Sequence, residues 1–454
     1  MPQYTPTQAP PRTGAVPDPA LASRIGGWLP HDGDTVRQHV RQMVKRAKTA
    51  NLPLIPPVAA LQNLLDTNPC VRMLFNDMLT EVPIGDPRYS KDPSGGWEIT
   101  DVDTLIQTIN QQVQEPIAYN DSAQIGTPIN AILDWPMGTK AGFAAFLRDD
   151  VDQVFRDILD YWGLFLQSPA SVSTVTTADG GWLSALAQSQ ESGLSNFLNT
   201  FEVPDRNDPI RYGFTSWDQF FTRKFLPGLR PVAYPDDPNV VASAAESTPF
   251  YIQTDVQLRD TFWVKNKDSR SNYSLVDMLG DANLAQLFEG GTVYQAFLSA
   301  DSYHNWHAPV DGRWHPEHQP VVLPGTYYSE PLMWGFSPDD GVVYPDPGAD
   351  ELSQSYISAV AKRGVGVIQA DNPKIGLVGV VMIGMAEVSS VDFDQVESFR
   401  KGDMIGRFHF GGSTHCLIFQ KGVNIQFTDQ AIPSPDVKNP GARVPVNSAL
   451  AVVV

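Results

Sequence analysis

The chain has 454 residues, enough for two or three domains, and its 42% hydrophobic content lies in the range of soluble globular proteins. Its 51 Asp and Glu against 32 Lys and Arg give a formal net charge of −19, with no basic cluster to offset it, which argues against nucleic acid and anionic membrane as main partners. The two cysteines, Cys70 and Cys416, lie far apart; they exclude a disulfide framework and a zinc ribbon and fit a reducing, cytoplasmic compartment.

Residues 1–30 are rich in Pro and Thr, lack a long apolar run and read as a disordered tail. After Asp34, a plausible cap, Val36, Val40, Met43, Val44 and Ala47 recur at helical spacing. Leu61, Leu64 and Leu65, then Met73, Leu74 and Met78, predict two short helices split at Pro69, and Leu105, Ile106, Ile109 and Val113 a fourth. The clearest stripe, Phe143, Leu147, Val151, Val154 and Ile158, predicts one helix over 139–162. A Ser, Thr and Gly-rich break at 168–181 precedes a further helical zone over 182–201. From Val240 the pattern changes to short β-rich runs between Gly, Pro and Asp turns, at 261–265, 292–298, 366–369, 375–383, 404–410 and 416–419. The apolar run 375–385 is too short and glycine-broken to span a bilayer and reads as a buried strand. The expected fold class is α+β, with a helical N-terminal domain over 31–205 followed by a β-rich domain over 206–454.

The chemistry concentrates near the C-terminus. In Phe408-His409-Phe410-Gly411-Gly412-Ser413-Thr414 a serine follows two glycines. Such a run is either an ordinary glycine turn or a strained one in which the hydroxyl attacks its own preceding carbonyl once a base takes the proton. Histidines are the residues suited to that task near neutral pH. His409 and His415 bracket Ser413. His304 and His307 lie three apart in Asp301-Ser302-Tyr303-His304-Asn305-Trp306-His307, where a zinc pair, a catalytic pair and core packing are all open. His315 and His318 sit in a Pro-rich loop without an evident third ligand, so no metal is expected there. His31 and His39 read as surface residues of the helical region, and Cys416 as a small core residue near Ser413.

Taken together these stretches resemble the phosphatidylserine decarboxylase family. Residues 214–232 (FTSWDQFFTRKFLPGLRPV) are similar to its FF-T-R and P-G-x-R-P elements, and 241–247 (VASAAES) fall where the family has Ser-Pro-x-Asp-Gly. Tyr273-Ser274-Leu275, residues 290–309 and residues 410–414 resemble its Tyr-Ser-Leu element, its histidine segment and its Gly-Ser-Thr cleavage site. The N-terminal half, through Ala141-Gly142-Phe143, Tyr161 to Leu166 and Gly181-Trp182-Leu183, is similar to the soluble fungal branch that includes pyridoxal-independent decarboxylases of tryptophan and other aromatic L-amino acids.

The resemblance implies that residues 206–454 form a pyruvoyl-dependent decarboxylase domain that cuts itself between Gly412 and Ser413. The products would be a β chain ending at Gly412 and an α chain, 413–454, capped by a pyruvoyl group made from Ser413. His307 aligns with the base of that cleavage and His304 with the histidine that assists decarboxylation. The third member, an Asp in the family, falls on Glu246; Asp311 is a weaker replacement. The pyruvoyl carbonyl would form a Schiff base with the substrate amine and accept the electrons left by CO2. Tyr303, Trp306, His409 and Phe410 are candidates to bind an aromatic substrate. The preferred expectation is decarboxylation of a free aromatic L-amino acid: tryptophan, phenylalanine, tyrosine or DOPA. Alternatives are phosphatidylserine decarboxylation and an uncleaved, non-enzymatic binding protein.

Overall fold

The structure is a computed structural model. It describes residues 35–82, 99–119, 127–189, 193–262, 272–299, 301–327, 335–336, 343–344, 354–385, 387, 390–409, 411–434 and 441–454. The expected tail over 1–30 and Phe410 lie outside the described residues.

The N-terminal half is helical: α1 (Thr35–Ala50), α2 (Pro56–Thr67), α3 (Pro69–Thr80), α4 (Val102–Gln112), α5 (Pro128–Met137), α6 (Lys140–Ala145) and α7 (Asp149–Gln167), followed by the single turns α8 (Phe197–Thr200) and α9 (Trp217–Phe221). The stripe Val36, Val40, Met43, Val44 and Ala47 is buried, as its spacing predicts. Asn68 separates α2 from α3, its side chain accepting from the N–H groups of Cys70 and Val71 while Pro69 occupies the first turn.

Two expectations fail here. The single helix over 139–162 is two, because the chain leaves the helix at Phe146–Arg148, with Leu147 48% exposed. Asp149, Asp150 and Asp152 then open α7, where carboxylates meet the positive end of the helix dipole, and Arg148 forks onto Asp150 at 2.9 and 2.7 Å. Among the described residues of the zone 182–201, only α8 is helical. Trp182 is drawn into the core instead, its indole N–H donating to the Ile117 carbonyl at 2.9 Å and its ring packing on Trp217 and Phe220. Tertiary packing overrides propensity.

The C-terminal half carries β1 (Val240–Ala242), β2 (Thr248–Thr254), β3 (Thr292–Leu298), β4 (Asn305–His307), β5 (Gly312–Trp314), β6 (Val321–Leu323), β7 (Gly335–Phe336), β8 (Val343–Tyr344), β9 (Arg363–Ala370), β10 (Leu377–Gly384), β11 (Val391–Phe393), β12 (Ser398–Phe399), β13 (Met404–Phe408), β14 (Ser413–Phe419), β15 (Ile425–Phe427) and β16 (Ala449–Val453), with helices α10 (Leu275–Leu279), α11 (Ala282–Gln286) and α12 (Gln354–Val360). The expected strand at 261–265 is not seen at Thr261 and Phe262, and its remaining residues lie outside the described ones. The largest sheet runs β12-β5-β9-β10-β14-β3-β2, with β6 beside β9, all antiparallel. Smaller sheets are β11-β13-β4, β1-β16-β15 and the β7-β8 pair. The architecture is α+β.

Strand β14 lies at the middle of the large sheet and is buried at every position. Side chains alternate across it, so its two faces enter different cores. Cys416 and Ile418 join Val381 and Ile383 in a core continuous with the helical half, whereas Leu417 and Phe419 join Trp306, Ile405 and Phe408 between the sheets. The helical half is therefore packed against the sheet that carries the serine, not appended to it.

Candidate active site

Ser413 opens β14, opposite Gly384 of β10 and Leu298 of β3. It is fully buried, and its Oγ has no hydrogen-bond partner among the described residues. A buried hydroxyl without a partner costs on the order of 1–3 kcal/mol, and such atoms cluster where reaction outweighs stability. The preceding peptide is prepared from both sides. Gly411 has φ +103°, a conformation that disfavours any side chain. The Gly412 carbonyl, the one a Ser413 attack would hit, accepts a hydrogen bond from the Met385 N–H at 3.0 Å. A donor there polarises the carbonyl and steadies an oxyanion. An orphaned nucleophile beside a polarised carbonyl fits conversion of Ser413 into a pyruvoyl group.

The two histidines differ. His304 places Nδ1 2.9 Å from the Ser302 carbonyl, which can only accept, so Nδ1 carries the proton and Nε2 the lone pair. Nε2 is buried without a partner among the described residues. Its ring stacks on Phe221 at 4.3 Å and meets the edge of Phe408. Burial, and then the nearby Arg223 cation, lower its pKa to about 3, so the ring is neutral. The His304 carbonyl also accepts from the Phe408 N–H at 3.0 Å, tying it to the strand that precedes Ser413 in the chain.

His307, at the end of β4, has both ring nitrogens engaged. Nδ1 donates to the Gly402 carbonyl at 2.7 Å, and Nε2 accepts from the Tyr303 hydroxyl at 2.9 Å. Gly402 is needed there: its φ is +91°, and a Cβ would lie 2.2 Å from the Val232 side chain. Burial holds His307 below the ordinary histidine range, against the pull of surrounding carbonyl and carboxylates.

Glu246, at the position where the family has its Asp, is held by Arg230. Arg230 grips both Glu246 oxygens at 2.9 and 2.6 Å, and the Val446 N–H donates to the same carboxylate at 2.9 Å. Arg230 in turn lies over the Phe225 ring at 4.2 Å, and Phe225 packs on Tyr303 at 4.3 Å. Glu246 thus reaches His307 through Arg230, Phe225 and Tyr303, because the guanidinium fork is the better bidentate partner for a buried carboxylate. Asp311 is occupied by Arg400 and the Lys401 N–H.

Other expectations are redirected. Trp306 is wholly buried and packed on Phe393 and Phe408, so its ring serves the core between the sheets. His409 lies between two carboxylates, Asp218 at 2.9 Å and Asp392 at 2.8 Å, so its ring latches the strand end. Burial opposes its charge, but the bonds and attraction from both partners prevail and raise its pKa to about 9. His415 and Ser413 share a face of β14, while Cys416 points to the opposite face, 3.9 Å from the Ser358 hydroxyl. His39 is largely buried, and burial followed by Arg46 lowers its pKa to about 4. The Met385 N–H, the Gly402 carbonyl and Arg230 were missed as participants. Arg230 stood inside a motif already singled out; the other two are main-chain groups that no residue type announces. Among the described residues no cluster of His, Cys, Asp and Glu could hold a metal ion, and no helix is long and apolar enough to cross a membrane.

The buried serine at the start of β14 and the two histidines lie in a chain whose family is shown by comparison. Two phosphatidylserine decarboxylase family models match the chain, one over residues 55–191 and the other over 217–439. The chain belongs to the phosphatidylserine decarboxylase family and is a carboxy-lyase. Among its relatives are the decarboxylase iboD of Amanita muscaria, 37% identical over 69% of this chain and 89% of the relative, and an L-tryptophan decarboxylase of Psilocybe cubensis, 30% identical over 94% and 93%. Phosphatidylserine decarboxylase proenzyme 3 of Schizosaccharomyces pombe is 29% identical over 46% of this chain and 19% of its own length.

Proposed function

We propose that this chain cuts itself between Gly412 and Ser413 and then decarboxylates a free aromatic L-amino acid to its amine. The observation that carries the reading is the orphaned, buried Ser413 hydroxyl next to a Gly412 carbonyl held by the Met385 N–H. Near end-to-end similarity to proteins named L-tryptophan decarboxylase supports the substrate class, since similarity to the phosphatidylserine enzymes covers only about half of the chain.

In this reading Ser413 Oγ bonds to the Gly412 carbonyl carbon as its proton passes to a base, and the Gly412–Ser413 C–N bond breaks, the nitrogen gaining a proton. The resulting ester loses the Gly412 carboxylate when the Ser413 α-proton is removed, leaving dehydroalanine. Water then displaces ammonia to give the keto cap. His307 is the proposed base; for this the Tyr303 hydroxyl must leave Nε2 or pass the proton on. His304, neutral and with its basic nitrogen unpartnered among the described residues, is the proposed proton carrier for the substrate α-carbon. When formed, the pyruvoyl group supplies an electron sink for the bond that releases CO2. Glu246 holds Arg230 and, through Phe225, the Tyr303 ring. Aromatic side chains around His304, with Tyr303, give the site a π-rich lining suited to an indole or phenol.

Denaturing mass spectrometry of the purified protein tests this. Wild type should give two chains, the smaller starting at a keto-capped residue 413, and Ser413→Ala one. Amine release is then followed over free tryptophan, phenylalanine, tyrosine and DOPA and over phosphatidylserine vesicles. A single intact chain in an active preparation, or turnover of the lipid alone, overturns the reading.

A further inference from the structure

The helical half buries a carboxylate that the chemistry above does not use. Glu387 follows β10, is fully buried, and accepts from the Asn130 N–H at 2.7 Å, with the Ile129 N–H contributing. These are the second and third residues of α5, whose cap residue Thr127 makes no side-chain cap bond. Glu387 therefore does from 257 residues away what a local cap does elsewhere: it satisfies main-chain donors that a helix start leaves open. Burial drives its pKa well above the ordinary carboxylate range, against those two donors.

The chain bearing Glu387 is the one that polarises the scissile bond. Met385 lies two residues before it, a span of at most roughly 7 Å, and donates its N–H to the Gly412 carbonyl. The Met385 side chain is held from the other side, its sulfur accepting from Gln354 Nε2 at 3.5 Å. Gln354 also bonds Gln295, which in turn donates to Thr414, the residue after the serine. An oxyanion donor works only if it is fixed before the charge develops. A main-chain N–H at a strand end is fixed by whatever pins the following residues.

We infer that Glu387 is a positioning residue for self-cleavage: by anchoring on the N-terminus of α5 it holds the Met385 N–H against the Gly412 carbonyl. This rests on the proposed cleavage at Gly412–Ser413 and gives the helical half a part in maturation.

The test uses the full chain, made by cell-free synthesis and chased, with the uncut fraction followed on denaturing gels. Glu387→Gln keeps the acceptor and its reach, and Glu387→Asp keeps the charge one methylene short. Cleavage should stay within about 3-fold of wild type in Glu387→Gln and slow by about 10-fold or more in Glu387→Asp, at a temperature where circular dichroism shows both folded. Glu387→Ala should slow at least as much; if it does not fold, the Gln and Asp pair decides alone. The inference is overturned if all variants cut at the wild-type rate, or if Asp cuts normally while Gln is slow, which would make the charge the active feature. If wild type itself stays uncut, the cleavage reading fails, and this inference with it.

Discussion

Two sets of buried polar groups in the C-terminal half are built on opposite plans. Around His307 the accounting is closed: Gly402 and Tyr303 take both ring nitrogens, and Arg230 and the Val446 N–H take the Glu246 oxygens. Around Ser413 and His304 it is open, with the serine Oγ and the histidine Nε2 both buried and without partners among the described residues. A satisfied network fixes geometry and stabilises. An unsatisfied one costs stability and is retained where its lone pairs react. The contrast is between a network that fixes its geometry and two buried polar atoms left open.

The largest effects should come from breaking that division with single histidine variants. His307→Ala should slow chain cleavage by about 10²–10⁴-fold, the usual weight of a positioned base. His304→Ala should still be cut, and its loss, again about 10²–10⁴-fold, should fall on amine release by the cut enzyme. Gel densitometry and amine quantification on the same samples separate the two. If His304→Ala is the variant that stays whole while His307→Ala cuts, the assignment by motif is reversed and the free Nε2 of His304 marks the cleavage base.

Much of this site was legible in the sequence because it is carried by residue types. A serine after two glycines, histidines three apart beside aromatic residues, and the strand stretches around them need no tertiary information to be noticed. The middle of the molecule was less legible. The helix over 139–162 divides because three acidic residues start a new turn at Asp149, a capping effect that a periodic apolar stripe hides. Trp182 was assigned to a helix because an apolar residue in a helical window cannot declare that Tyr119, Trp217 and Phe220 will claim it. Arg230 as the partner of Glu246 was not legible for a related reason: aligning a carboxylate with a motif position says where it sits, not which cation reaches it first.

The frame can be broken through its ion pair. Removing Arg230 leaves Glu246, whose side chain is only 7% exposed, buried opposite no cation. Losing one partner of such a pair costs about 3–5 kcal/mol when both are fully buried. Arg230 itself is 28% exposed, so about 3 kcal/mol is expected for Arg230→Ala. Glu246→Gln keeps acceptors for the Val446 N–H and should cost about 1–2 kcal/mol. Urea titrations of the uncut Ser413→Ala protein carrying each change provide the values. Equal, small losses would mean the pair is screened and the frame is held by the Phe225 and Tyr303 stack alone.

The smallest effect sharpens the comparison by pH. His409 and His304 stand at the two ends of the histidine range, one raised to about 9 between Asp218 and Asp392, the other lowered to about 3 in an apolar stack. An unfolded histidine titrates near 6.5. Because the folded pKa of His409 is higher than that, its stabilisation is complete below about pH 6.5, shrinks as the pH rises, and is gone above about 9. Asp392 is 63% exposed and screened, so the contribution is on the order of 2 kcal/mol. His304 works with the opposite sign: its buried ring must stay neutral, so it destabilises the fold as the pH falls below about 6.5 towards 3. In His409→Gln, which keeps hydrogen bonding without the charge, the melting temperature should lose its extra decline between pH 6.5 and 9. A wild-type minus variant difference that stays constant across that window would show that neither carboxylate holds an imidazolium there, and would leave the strand end before Ser413 fixed by the sheet alone.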